Sequence, residues 1–563
     1  FSRILRGIII VCFFIPAALI TMFGLFSTCH ITSLPSETHY FTGADAWSVL
    51  LGYLALLAVL FLAKKSKLRA VVEKRPGAFT AALLTVLAAL SLWWVLAAGV
   101  RPEADQLTVI SIADAWRNNK FDELLKGGYL YKYPHQIGLV MFYYLTSFIC
   151  GQGNTLFWQI LNIPALIFGV LFLARTAGVL FPAKWTVPAV TGCCCLFLPM
   201  LFYTSFNYGT LYGFFCSMAA FYLLIRFLRD GGWGRMLGMA VLAALAVELK
   251  QNYLVSLLAM AAVLLLNAIR EKKLRPVIGA ALLFAASLLL SGGVSRAAEN
   301  MSGIPASQGV PKTAWIMMGL EESKRAPGWY NDDTLKLYEA CGEDTQAADA
   351  AARAEIKARL SKFKADPAYA AEFFAKKTAS QWDEPTFQCF WVSSVRRSFD
   401  GSPQAVKDIL AGGASLRIEG FLRYYEMFVC LGVLCFIIFR RGRLSESALL
   451  FAVTFIGGFL FHTFWEAKAE YTFLYFALLI PYAVQGWTAA ALLPGSLRRE
   501  KSADRRRAAL SLLLTALLIV HPNFVRCDLG LAADDAAYRD YADGVSAACG
   551  IEYKANNYCI RGI

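Results

Sequence analysis

The sequence predicts an all-α polytopic membrane protein of about 13–14 transmembrane helices, carrying a helical domain outside the membrane. Three observations predict it. Apolar residues make up 58% of the 563 residues, above the roughly 45–50% usual for globular chains. Apolar runs approaching the ~20 residues that cross a bilayer as helix recur along the chain. They lie at 4–27, 46–63, 79–100, 137–151, 155–174, 185–206, 208–227, 235–249, 253–269, 275–292, 422–439, 446–463, 471–494 and 508–522. The basic residues behind the net charge of +14 gather between those runs, at Lys64–Arg75, Arg226–Arg235, Arg270–Arg275, Arg440–Arg443 and Arg498–Arg507. That distribution is the cytoplasmic signature of membrane proteins and argues against a nucleic-acid partner.

In chain order, residues 1–78 hold two amino-terminal transmembrane helices. The first run, flanked by Arg3 and Arg6, exceeds the roughly 7–15 apolar residues of a signal peptide, and no A-x-A-like site follows, so it is expected to stay as an anchor. With the basic clusters inside, the first span exits, the second returns at Lys64–Lys67 and the third exits at Arg101. The loop 101–136, within a membrane core of 79–292, is therefore expected outside. In its stretch ADQLTVISIADAWRNN, Val109, Ile112, Ala113 and Trp116 recur at helical spacing, which suits a helix lying on the membrane surface. Seven apolar runs follow between 137 and 292, and an odd number cannot return the chain to the side it left. One of 137–151, 235–249 and the Pro-interrupted 185–206 must fail to cross or be wrongly divided.

Residues 293–420 form the one long polar segment, placed outside by the basic linker Arg440–Arg443. Its stretch Thr345–Lys377 is rich in Ala, Glu and Lys, which favours helix, and Pro367 divides it in two. Further spans occupy 421–522, and a tail, 523–563, ends outside. Six cysteines map outside: Cys29, Cys341, Cys389, Cys527, Cys549 and Cys559. A bridge such as Cys341–Cys389, or one within the tail, is allowed in an oxidising exterior, although spacing alone fixes no pairing.

Soluble-enzyme motifs (G-x-S-x-G, H-E-x-x-H, a P-loop, paired C-x-x-C) are absent from the sequence, so any chemistry is built from polar groups gathered at one membrane face. Glu103 and Asp105 stand where the third span exits. Acidic residues there favour a helix dipole and cap free N–H groups, or else present a carboxylate to an outer cavity as general base. The stretch FHTFWEAKAEYTF sets His462, Glu466 and Lys468 between two spans; charges so near hydrocarbon pair with each other or face a cavity, where Lys468 and His462 could hold a phosphate. VELKQNYL offers Lys250 and Asn252 between two further runs, as a plain turn or as groups meeting an anionic or hydroxyl-rich ligand. FYTSFNYGT, with Tyr203, Asn207 and Tyr208, and APGWYN, with Trp329 and Tyr330, combine rings and hydrogen-bonding groups in a way that suits carbohydrate and equally suits an aromatic belt or core packing. The five histidines, at 30, 39, 135, 462 and 521, show no metal-binding helical spacing. No structural metal and no cofactor are expected, with a divalent cation at Asp105 left open.

An acidic residue just after an early span, a surface helix, and then YLYKYPHQIGL leading into the next apolar run resemble the first outer loop of the GT-C membrane glycosyltransferases, the group that includes protein O-mannosyltransferases and aminoarabinose transferases. The resemblance covers roughly residues 79–480, with loose motifs; the Glu103-x-Asp105 spacing and the two spans before residue 79 depart from the family pattern. It implies a GT-C-like fold and an inverting glycosyltransferase moving sugar from a polyprenyl-phosphate-linked donor to a cell-envelope acceptor. The expected setting is a bacterial cell membrane, with the active site on its extracytoplasmic face. Asp105, or Glu103, would then be the catalytic base; His135, Gln136, Lys250, Asn252, His462, Glu466, Lys468, Trp329 and Tyr330 would bind substrate. A transporter or flippase using Glu248, Lys250 and Glu466 is the alternative, although no inverted hydropathy repeat is visible; a non-catalytic sensory protein is a third.

Overall fold

The computed structural model describes residues 2–31, 37–43, 46–63, 67–394, 401–439, 445 and 447–496. The last apolar run, 508–522, and the tail lie outside the described residues. Eight helices are long and apolar enough to cross a membrane: Ile4–Phe26, Pro76–Ala98, Thr155–Leu180, Thr210–Asp230, Gln251–Glu271, Arg275–Ser302, Gly413–Phe439 and Ser447–Phe464. The protein is thus a helical integral membrane protein. Two further spans are bent pairs, Thr186–Leu196 with Pro199–Ser205 at 67° and Ala469–Ala477 with Ile480–Ala491 at 52°. Pro199 and Pro481 sit in the first turn after each break, where a proline's missing N–H would have had no partner within its own helix.

The expected 13–14 spans are corrected to eight among the described residues, or ten if each bent pair is one span: runs 46–63, 137–151 and 235–249 give no qualifying helix, and 137–151 is the shortest of them. It forms the helix Ile137–Cys150 of 14 residues, about 21 Å long against a hydrocarbon core of about 30 Å. Both its ends are pinned near the loop helix Asp105–Arg117. At the start, Gln136 Nε2 donates to Tyr208 Oη at 2.7 Å, and Tyr208 donates to Asp105 at 3.3 Å. At the end, Gly153 N donates to Asp114 Oδ1 at 3.0 Å. The two helices therefore lie side by side, and with run 137–151 set apart six apolar runs remain up to 292, an even number; of these, Trp233–Leu249, at 17 residues, falls short of the eight spanning helices. Gln159 Nε2 donates to the carbonyls of Val100 at 2.8 Å and Ser205 at 3.1 Å.

An all-α reading also misses a small antiparallel hairpin, Ser27–Ile31 with His39–Gly43, directly after the first span. Its strand residue Cys29 donates its N–H to the Asp383 carbonyl at 2.9 Å, so the hairpin docks on the polar segment. In that segment the helices Thr345–Ala365 and Pro367–Trp382 meet at Asp366, as the position of Pro367 predicts; Asp366 caps the second by accepting from Tyr369 N at 3.0 Å. The segment is joined to the membrane helices by a parallel bridge between Trp329 and Ala467 and by Lys377, which donates to the carbonyls of Gly319 and Trp465. Cys341 and Cys389 are both free thiols, which corrects the expected bridge: Cys389 is buried in the main core, while Cys341 packs in a separate small one.

Below the hairpin, Asp383 Oδ2, Glu426 Oε1 and the Nε and Nη2 of Arg423 are buried without hydrogen-bond partners among the described residues. Gly24 of the first span makes room there: a Cβ at that position would meet Met427 Sδ at 2.8 Å and Asp383 Oδ1 at 2.9 Å.

Candidate functional site

A cavity of about 610 Å³ opens at the face shared by Ala98, Thr155 and Ser205, within the size range of small-molecule sites. One wall is the turn between the span Pro76–Ala98 and the loop helix. Gly99 closes the span in the left-handed conformation, at φ 54°, and Pro102 prevents its continuation. Ala104 then adopts φ 51° and ψ −133°, a conformation costly to any residue with a Cβ, and this turn presents Glu103 and Asp105 to the cavity. Ala104 occupies the capping position without a side chain that could cap. The Asp105 carboxylate instead accepts from Tyr208, beside Tyr129, whose phenol burial and the nearby Asp105 push up.

The opposite wall carries cations. Gly209, at φ 77°, lets the chain pass so close to the Leu249 carbonyl that a side chain there would collide, which seats the Tyr208 ring 3.9 Å from Lys250 Nζ. Lys250 pairs with Glu470 at 2.9 Å; burial lowers its pKa, and Glu470 opposes the shift. Lys468 stands between Glu470 at 3.8 Å and Glu37 at 4.0 Å, and Glu37 also pairs with Arg325 at 3.0 Å. Burial works against the Lys468 ammonium, but Glu37, Glu470, Glu466 and Asp105 outweigh it and hold its pKa above the ordinary value. Burial raises Glu466 to about 7, with Lys468 and a hydrogen bond from Tyr471 at 3.2 Å acting the other way. Lys312 also lines the cavity and makes no ion pair among the described residues.

Another part of the lining differs in character. Leu254, Val255 and Leu258 of the helix Gln251–Glu271 line the cavity together with Phe461, and Leu258 is 48% exposed. The cavity therefore combines charged groups with apolar ones on a helix long and apolar enough to cross a membrane.

Nine of the anticipated site residues line this one cavity: Glu103, Asp105, His135, Gln136, Lys250, Asn252, Tyr330, Glu466 and Lys468. Two do not reach it. His462 is buried behind the wall, stacked on Tyr471 at 5.6 Å, and Trp329 is buried with its Nε1 donating to Ser380 at 2.7 Å. Glu37, Lys312 and Arg325 line the cavity without having been anticipated, because none adjoins an apolar run that would mark it: Glu37 and Arg325 lie outside helices and strands, and Lys312 opens the short helix Lys312–Gly319. Among the described residues, no three His, Cys, Asp or Glu side chains gather as a metal-binding set. Compared with known proteins, the chain matches no family model and no curated protein.

Proposed function

We propose that this protein is a membrane glycosyltransferase that moves a sugar from a polyprenyl-phosphate-linked donor to a hydroxyl-bearing envelope acceptor, with Asp105 as general base. The observation that carries the reading is a cavity lined both by charged groups and by apolar residues of a membrane-spanning helix, Leu258 among them partly exposed. An amphiphile with a long hydrocarbon tail and an anionic, sugar-bearing head matches that combination; a soluble sugar nucleotide does not need it. The basic loops lie at the opposite ends of the spans, which supports an extracytoplasmic site.

In the reaction, the acceptor oxygen forms a bond to the anomeric carbon while the carbon–oxygen bond to phosphate breaks. The acceptor's proton goes to Asp105, and the electron pair leaves with the phosphate. Attack on the face opposite the leaving group inverts the anomeric centre. Lys250, Lys468 and Arg325 share the two carboxylates Glu470 and Glu37, so their part is to hold the cavity wall together. Lys312 has charge to offer, and it stabilises the departing phosphate as negative charge builds.

The test is Asp105→Asn in the full-length protein. Transfer falls roughly 10²–10⁴-fold while polyprenyl phosphate still binds; unchanged transfer removes Asp105 as the base. One observation favours a second reading, a flippase or transporter: the buried charges Asp383, Glu426 and Arg423, each with at least one atom that has no hydrogen bond among the described residues, since such groups mark substrate or proton pathways. Sealed vesicles distinguish the two, because a flippase moves lipid-linked sugar between leaflets without consuming it.

A further inference from the structure

Beside the cavity lies a second cleft, of about 420 Å³, between the hairpin strand His39–Gly43, the loop 322–327 and the helix Pro367–Trp382. Arg325 lines both spaces. Its guanidinium pairs with Glu37 at 3.0 Å and packs on the Tyr330 ring at 4.9 Å, and those two residues belong to the first cavity. Arg325 is thus common to the two spaces.

The cleft's chemistry is that of a receptor for hydroxyl groups. His39 Nδ1 lies 3.0 Å from the Arg325 carbonyl, which only accepts, so Nδ1 carries the proton and Nε2 is left as an acceptor. Nε2 is buried and has no hydrogen-bond partner among the described residues. Burial, followed by smaller effects of the Arg325 backbone and charge, takes His39 down to about 3, so the ring stays neutral at physiological pH. A neutral acceptor of this kind calls for an O–H or N–H donor, not an anion. The positive charges in the cleft are compensated: Lys376 pairs with Glu372 at 2.5 Å, and Arg325 with Glu37. Glu322 already accepts from Tyr369 at 2.5 Å. Around these groups stand the partly exposed rings of Tyr40, Phe41 and Tyr369, whose faces suit the apolar faces of sugar rings.

We infer that this cleft binds a neutral saccharide chain, and that this chain is the acceptor, entering from the soluble segment so that its terminal hydroxyl passes Arg325 to reach the donor cavity. The acceptor role rests on the glycosyltransferase reading; the binding does not.

The experiment uses the full chain in lipid nanodiscs and three neutral probes, maltotetraose, cellotetraose and chitotetraose, with binding followed by saturation-transfer NMR and titration calorimetry. His39→Asn keeps a donor at the Nδ1 position and deletes the Nε2 acceptor. Tyr40→Ala removes one ring from the strand and carries the test if the first variant does not fold. At least one probe binds the native protein, and both folded variants weaken it about tenfold, with polyprenyl phosphate binding unchanged. The inference is overturned if no probe binds, or if the variants bind as tightly as the native chain. Probe binding without any transfer from a polyprenyl-phosphate sugar keeps the cleft and removes the glycosyltransferase reading; transfer without probe binding does the reverse.

Discussion

Lys377 is 1% exposed and commits its ammonium to the carbonyls of Gly319 and Trp465. Burial takes it from 10.5 down to about 7, with Glu466 opposing. Between pH ~7 and ~10.5 the unfolded chain therefore binds more protons at this position than the folded one, and stability rises with pH across that window. Lys377→Met is expected to flatten the rise, measured as melting temperature against pH in detergent; an unchanged slope would show that the amine titrates normally. The same comparison explains what single residues disclose in advance. Asp105, Lys250, Glu466 and Lys468 were legible because a charge beside an apolar run is expensive without a partner or a cavity. His462 carried the same signal and failed, since a neutral imidazole can stay among Tyr471 and Tyr475 inside the bundle. Glu37 and Arg325 were illegible because their pairing joins segments far apart in sequence, by way of a hairpin that no span announces.

At the level of elements, the turn at Ala104 shows strain coinciding with a candidate catalytic carboxylate. Ala104→Gly relieves roughly 1–3 kcal/mol of backbone strain against about 0.5–1 kcal/mol of added unfolded-chain entropy. The variant is expected to melt higher yet transfer sugar more slowly, because Asp105 loses its enforced direction. A lower melting temperature would mean that the turn is not strained. The helix Ile137–Cys150 carries a second expectation. If it lies along Asp105–Arg117, cysteines introduced at Gly153 and at Lys120 react with a membrane-impermeant maleimide from the same side of sealed vesicles; labelling from opposite sides would restore a crossing. Sequence reading reached this element only as one of three candidates, since hydropathy records how apolar a run is and not where its ends are tied. The Asp114–Gly153 contact that ties it joins residues on two different helices. The helix Asp105–Arg117 itself was readable, because a helical period shows within one segment, but its Val109, Ile112, Ala113 and Trp116 are buried against protein, in one cluster with Val140, Tyr143 and Trp158. The hairpin was not readable, its two strands being too short to show a period.

Across the whole molecule, the soluble segment is held on the membrane helices by backbone pairing and by Lys377, with no covalent tie between Cys341 and Cys389. Reductant is accordingly expected to leave the melting temperature of the 1–496 portion unchanged, checked in full-length protein whose tail cysteines 527, 549 and 559 are replaced by serine; a drop would reveal a bridge. The unpartnered groups around Asp383 bear on how such a molecule is made. A translocon meets the helix Gly413–Phe439 carrying Arg423 and Glu426, each costing about 2.5–3.5 kcal/mol when threaded into lipid alone. Asp383 is by then already synthesised, and so is Ser2–Phe26, against which this helix packs. That earlier helix offers it a groove, shaped at Gly24, in which Met427 and Asp383 fit. The amino-terminal helix is thereby expected to lower the cost of admitting the late one to the bilayer.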